Sequence, residues 1–268
     1  MEAGPRGGNM IEQGSDLWNC AAQVERTDPE RFASAMAAPV AARAVLFPLY
    51  AFNAEVARAP WVTAEPMIAE MRLQWWRDAL DEIATGGAVR RHEVVVPLAQ
   101  VLDAEGCAVL DRLIEARRLD IEKAPFDDED ALWRYLQSTG GGLMQVAARC
   151  LGDRDGRAAH SLGTAVGLMQ YLKAVPELEA KAKLPLPDGR HEAVQRLAER
   201  GLQEIRVARQ ARAAVPKSAR VAFLPGALAV TVLRRAKSDP DRVKAGALMP
   251  SEATVRLMRL KTGFLGGF

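Results

Sequence analysis

The side chains of this 268-residue chain that could do chemistry are few and widely spaced. His92, His160 and His191 could serve as general bases. None has a partner in reach by sequence, and all three read as ordinary surface histidines. Cys20, Cys107 and Cys150 form no CxxC pair and no Cys/His cluster. They indicate neither a zinc site nor a disulfide framework, and buried free thiols are expected. Arg58, Arg72 and Lys173 could converge on an anion such as phosphate, for which guanidinium is well suited; the competing reading leaves them solvated on helix surfaces. Magnesium chemistry would need hard oxygen ligands, best supplied by carboxylates one helical turn apart. Glu55 and Glu177 have no acidic partner at that spacing, and Glu179, two residues from Glu177, points to another face. No GxGxxG or Walker A loop is present, so nothing supports nucleotide binding.

The elements that must position these residues are helical throughout. Thr27-Asp28-Pro29-Glu30 has a capping side chain, a proline in the first turn and an acid at the positive end of the helix dipole. A second helix is expected to kink or restart at Pro48 and to close at Pro60. Thr63 to Ala84 places Ile68, Met71, Trp75, Ala79 and Ile83 on one face, and Gly86-Gly87 ends the helix. Further helices are expected over Pro97–Glu105, Cys107–Glu122, Asp127–Cys150, Gly156 to about Pro176, His191–Ala214, Ala219–Lys237 and Ser251–Leu260. Only Glu93–Val96 looks strand-like. Gly140-Gly141-Gly142 lies inside a helical pattern, either as a close helix approach or as a break. No repeat or linker divides the chain, so residues 1–268 read as one all-α domain, with residues 1–10 and 262–268 expected to be flexible.

The stretch Arg31–Leu80 contains Tyr50-Ala51-Phe52 and Arg72-Leu73-Gln74-Trp75-Trp76-Arg77. Tyr135 to Gly142, Gly163 to Pro187, and Val221 to Pro240 follow in order. Together these resemble the squalene/phytoene synthase family, the trans-isoprenyl diphosphate synthases that join two prenyl chains head to head. The resemblance covers roughly residues 30–240. It implies the all-α isoprenoid synthase bundle with a central cavity. It also implies a candidate pocket of Tyr50, Asn53, Glu55, Arg58, Arg72, Trp75, Gln170, Lys173 and Glu177. Tyr50, Trp75 and Trp76 can each be read as cavity lining or as core packing.

The family ionises an allylic diphosphate with magnesium ions held by two aspartate-rich helices. In register from Tyr50, the first aspartate motif falls on Ala57, Arg58 and Trp61. The second motif, N-x-x-R-D-x-x-x-D, falls on Gln170, Lys173, Ala174 and Leu178. The aspartate positions are therefore lost at Ala57, Trp61, Ala174 and Leu178. Without metal, departure of the diphosphate loses several kcal/mol of charge stabilisation, and each ~1.4 kcal/mol is a factor of ten in rate. The strings Ala51-Phe52-Asn53-Ala54-Glu55 and Glu70 to Leu80 look most like an aspartate-deficient branch of the family associated with assembly of respiratory complex I.

The resemblance thus implies a non-catalytic binding or assembly protein with no cofactor. Its partner would be a complex I subunit or intermediate, and its old cavity could hold an isoprenoid or lipid. The alternative is a prenyltransferase condensing two isoprenyl diphosphates, which alone would need Mg. A net charge of +2 gives no reason to expect nucleic acid. The basic run Arg200–Arg220 reads as a solvated helix face, or else as contact with an anionic membrane. No stretch is long and apolar enough to read as a membrane span, and no secretory signal is visible. A cytoplasmic location is the default, with peripheral contact to the inner membrane as the variant.

Overall fold

The computed structural model describes residues 12–63, 65–122 and 124–265. Among the described residues thirteen α-helices follow one another, and no strand occurs. They are α1 (Asp16–Thr27), α2 (Pro29–Ala37), α3 (Val40–Arg58), α4 (Pro66–Thr85), α5 (Val95–Ala99), α6 (Ala104–Arg117), α7 (Glu129–Leu136), α8 (Gly142–Cys150), α9 (Arg157–Ala180), α10 (His191–Ala211), α11 (Ala229–Ser238), α12 (Asp241–Lys244) and α13 (Glu252–Leu265). Helix α9 is central, packing on α8, α10 and the turn between α7 and α8. Helices α3 and α4 form the opposite side, with α1 and α2 folded onto α3.

The local chemistry of the helix ends is that of the sequence. Asp28 caps α2 by accepting from the Arg31 amide at 2.9 Å, and Pro29 follows at the first helical position. Gly86 stops α4 in the left-handed region at φ 69°. Helix α1 is an addition to the expected set; Ser15 caps it by accepting from the Trp18 amide at 3.2 Å.

Several expected boundaries are corrected. Helix α3 runs through Pro48 without restarting, since burial of Leu46, Phe47 and Leu49 around the proline holds the chain helical. Helix α9 continues four residues beyond Pro176. The apolar run at Glu93–Val96 is not a strand: Val95 opens the short helix α5, whose Val95, Pro97 and Leu98 enter the core. Helix α4 also turns a different face inward. Ala69, Leu73, Trp76, Ala79 and Leu80 are buried, whereas Ile68 and Met71 are 45% and 66% exposed. Residues 1–10 and 266–268 lie outside the described residues; 262–265 continue α13.

Among the described residues, helix α3 with the turn that follows it is the one segment long and apolar enough to cross a membrane by length and composition; 56% of that stretch is buried inside the fold, as a core helix would be. The basic run of α10 is largely engaged within the molecule: Arg200 pairs with Asp130 at 2.8 Å and Arg206 with Glu199 at 2.6 Å.

One ion pair ties α6 to α8 and makes stability depend on pH. Asp103 caps α6 by accepting from the Gly106 amide at 2.8 Å, and it receives the Arg149 guanidinium at 2.7 Å. The Arg149 hydrogen bonds hold its carboxyl down at about 2. A carboxylate so depressed stabilises the fold above the unfolded value of about 3.9, and that contribution is lost as pH falls toward 2. Asp103→Asn should therefore lower the urea midpoint at pH 6, and the gap from wild type should close between about pH 4 and pH 2. A gap that stayed constant over that range would mean that the pair contributes nothing.

Candidate functional site

A cleft of about 320 Å³ opens between α3 and α9, closed at the back by the α7–α8 turn. The turn is a π-helical segment, Gln137–Gly141, so the three glycines both interrupt the α-helix and permit close approach. A Cβ on Gly140 would lie 2.6 Å from the Gly163 carbonyl oxygen and 2.8 Å from Gly167 Cα. Only a glycine lets the turn lie directly on α9.

All four positions at which the family's aspartates are expected line this cleft. Ala57 and Ala174 present methyl groups, and Leu178 an isobutyl group. Trp61, 36% exposed, sits at the rim with the Lys181 and Lys183 ammonium groups 4.8 and 4.5 Å from its ring centre. The cleft keeps two carboxylates, and each already has a cation. Asp120 receives Arg117 at 3.0 Å, and Glu177 receives Lys181 at 2.6 Å. No group of three or more His, Cys, Asp or Glu side chains close enough to hold a metal occurs among the described residues. The donor set of the cleft does not fit a magnesium clamp.

The expected pocket residues divide. Asn53, Gln170 and Glu177 line the cleft. Lys173 sits behind it, donating to Glu30 at 2.7 Å and to Gln170 Oε1 at 3.1 Å, while Gln170 Nε2 donates to Glu30 at 2.7 Å. That cluster ties α9 to α2. The other five do not reach the cleft. Tyr50 is buried in the core, its ring 5.7 Å from the Arg31 guanidinium, and burial pushes its hydroxyl up to about 12. Glu55 faces α1 and accepts from Gln23 at 2.5 Å. Arg58 and Arg72 are exposed. Trp75 stacks among Trp76, His92 and the Arg90 guanidinium at 5.0, 5.1 and 4.6 Å. The basic pocket of Arg58, Arg72 and Lys173 does not form: Lys173 is paired with Glu30 between α9 and α2, whereas Arg58 and Arg72 are exposed, and none of the three is among the residues that line the cleft. Two of the three histidines also depart from the surface reading. His92 lies in the tryptophan stack, and His160 is half-buried, with desolvation lowering its pKa.

The polar wall is instead made by residues that no spacing in the chain groups together. Arg117 donates to the Tyr135 hydroxyl at 2.5 Å, and that hydroxyl donates to Asp120 at 2.9 Å. Burial raises the pKa of Tyr135 well above the usual phenol value. Arg31 and Lys181 complete the cations. Tyr135 stood within a motif segment, but Arg31, Arg117, Asp120 and Lys181 come from separate elements with no shared spacing.

A helical bundle with a cleft between two facing helices defines an isoprenoid synthase-type protein. A dehydrosqualene synthase in complex with ligand superposes with a TM-score of 0.73 over 93% of this chain and 96% of that one, at 14% identity. The squalene synthase HpnC from Alicyclobacillus acidocaldarius gives 0.67 over 83% and 93%, at 18% identity. These likenesses establish the fold. Residues 24–190 match the squalene/phytoene synthase family, and the chain belongs to it. Among named relatives, the NADH dehydrogenase (ubiquinone) complex I, assembly factor 6 of Bos taurus is 24% identical over 196 residues, 68% of this chain and 55% of that protein. The Drosophila melanogaster homolog is 29% identical over 184 residues, 64% and 55%. The chain spans little more than half the length of either relative.

Proposed function

We propose that this chain is a non-catalytic member of its family that serves as a binding or assembly factor for respiratory complex I. The observation that carries the reading is the cleft wall, where Ala57, Trp61, Ala174 and Leu178 stand at the four metal-ligand positions. The names of the relatives support the choice of complex I. An exposed apolar face beside the cleft supports a protein partner. Trp61, Val62, Met67, Ile68 and Met71 are between 36% and 75% exposed, flanked by Arg58 and Arg72. Exposed patches of this kind mark interaction sites, and aromatic, Met and Arg side chains are the types enriched in interface cores. The partner is a subunit or assembly intermediate of complex I, met at the surface of the inner membrane.

Deleting the gene should lower assembled complex I and NADH oxidation, and the wild-type chain should restore both. The double substitution Met67→Lys/Met71→Lys should fold with an unchanged urea midpoint, since both side chains already face solvent, yet fail to restore complex I. Normal complex I in the deletion strain would remove the proposal.

A further inference from the structure

We infer that helix α13 is a membrane-docking element that lies flat in the headgroup layer of an anionic phospholipid bilayer. Its fourteen residues are fewer than the about 20 that cross a bilayer, so it can lie in the interface but not span it. One face is held by the protein: Val255 and Met258 are half-buried and pack on the 3-10 segment Ala219–Leu228. The far face is apolar as well. Leu257 is 67% exposed, and Leu260 and Phe264 follow it by three and seven positions, on the same helical stripe. A helix that met only water on that side would carry polar residues there.

The charge around the stripe selects what covers it. By helical register Arg256 and Lys261 border it on its two sides, and Arg259 stands beyond Arg256. Arg256 has Glu252 as its acidic partner, at 3.6 Å, and both side chains are exposed. On the neighbouring helix, Thr231 Oγ1 lies 3.8 Å from Met258 Sδ, and Arg234 and Arg235 follow Thr231 by three and four positions on the same face of α11. Neither arginine has an acidic partner among the described residues. Residues 217–268 hold ten Lys or Arg and three Asp or Glu, a net charge of +7 in a chain whose total is +2. The rest of the chain is therefore net acidic, and the excess of cations is gathered in the segment that ends in α13.

An apolar stripe bordered by cations matches the headgroup layer: the apolar side chains enter the acyl boundary while Lys and Arg reach the anionic phosphates. The complementary surface is broad rather than a groove wrapped round one helix, because α11 contributes cations from outside α13 and the inner face of α13 is already covered. This inference goes beyond the assembly role. It is read on the isolated protein with pure lipid, so it stands or falls without complex I.

The test is co-sedimentation of the full chain with vesicles of phosphatidylcholine alone and of phosphatidylcholine mixed equally with phosphatidylglycerol. The mixed vesicles should be bound at least about tenfold more tightly, and high salt should release the protein. Leu257→Asp should weaken that binding about tenfold or more, since it puts an anion in place of the inserted leucine. The double substitution Arg234→Gln/Arg256→Gln should weaken it about twentyfold, at about fivefold per cation near the surface. All three side chains are exposed, so both variants should keep the wild-type thermal midpoint. Arg91→Gln, which removes an exposed cation on the segment before α5, should bind as wild type. Absence of binding to the mixed vesicles would leave a protein as the occupant of the stripe and overturn the inference. Equal binding to phosphatidylcholine alone, undiminished binding by the two folded variants, or an equal loss in Arg91→Gln would each overturn it as well.

Discussion

Adding a single methyl group at Gly163 will destabilise this protein more than most surface substitutions could. In Gly163→Ala the new Cβ would collide with the Gly140 carbonyl oxygen, and it would stand 2.7 Å from Met144 Cβ and 3.0 Å from Gly141 Cα. The obstacles are backbone atoms and a Cβ, so no side-chain rotation relieves them. Relief requires α9 to move off the π-helical turn, which opens the back wall of the cleft. Overpacking usually costs 1–3 kcal/mol, and a backbone-against-backbone clash belongs at the upper end, about 3 kcal/mol or more. Gly87→Ala is the control. Gly87 has no positive φ, and its nearest neighbour would be 3.9 Å away, so the change should be neutral or slightly stabilising. Urea unfolding of both variants decides the matter. A wild-type midpoint for Gly163→Ala would mean that the close approach does not exist.

The second large effect is expected at Trp76→Ala. Trp76 is 4% exposed and meets Phe52 edge-on with ring centres 5.3 Å apart; Trp75 and His92 lie at 5.0 and 5.4 Å. This stack joins α4 to α3, the helix that carries Asn53 and Ala57 into the cleft. Removing the indole leaves a cavity that the surrounding rigid rings cannot fill, so the cost should be about 3–5 kcal/mol. Near-UV circular dichroism should lose the coupled-tryptophan signal, and the urea midpoint should fall. A loss under about 1 kcal/mol would place Trp76 outside the packed core.

The all-α fold was legible because helix ends have local chemistry. Asp28 with Pro29 started α2, and Gly86 ended α4, through groups within a few residues of each boundary. A restart at Pro48 and an end at Pro176 do not occur, because the cost of a proline is local, whereas the burial that outweighs it comes from distant neighbours. The inward face of α4 misled for a related reason. Ile68, Met71 and Trp75 recur at helical spacing, but periodicity does not say which of two apolar stripes meets the core. In the site, Ala57, Trp61, Ala174 and Leu178 were found by register along two helices, a one-dimensional problem. Arg31, Arg117, Asp120 and Lys181 meet only after α2, α6 and α9 pack, and no sequence interval encodes that meeting. Arg58 and Arg72 were grouped with Lys173 by charge alone, and helix rotation separated them.

The measurement that bears most directly on the loss of catalysis is release of inorganic pyrophosphate from farnesyl diphosphate with millimolar magnesium present. The four apolar wall positions predict a rate indistinguishable from the magnesium-free control, together with no saturable magnesium binding by calorimetry. Magnesium-dependent turnover to a head-to-head product, with two or more bound ions per chain, would contradict the account.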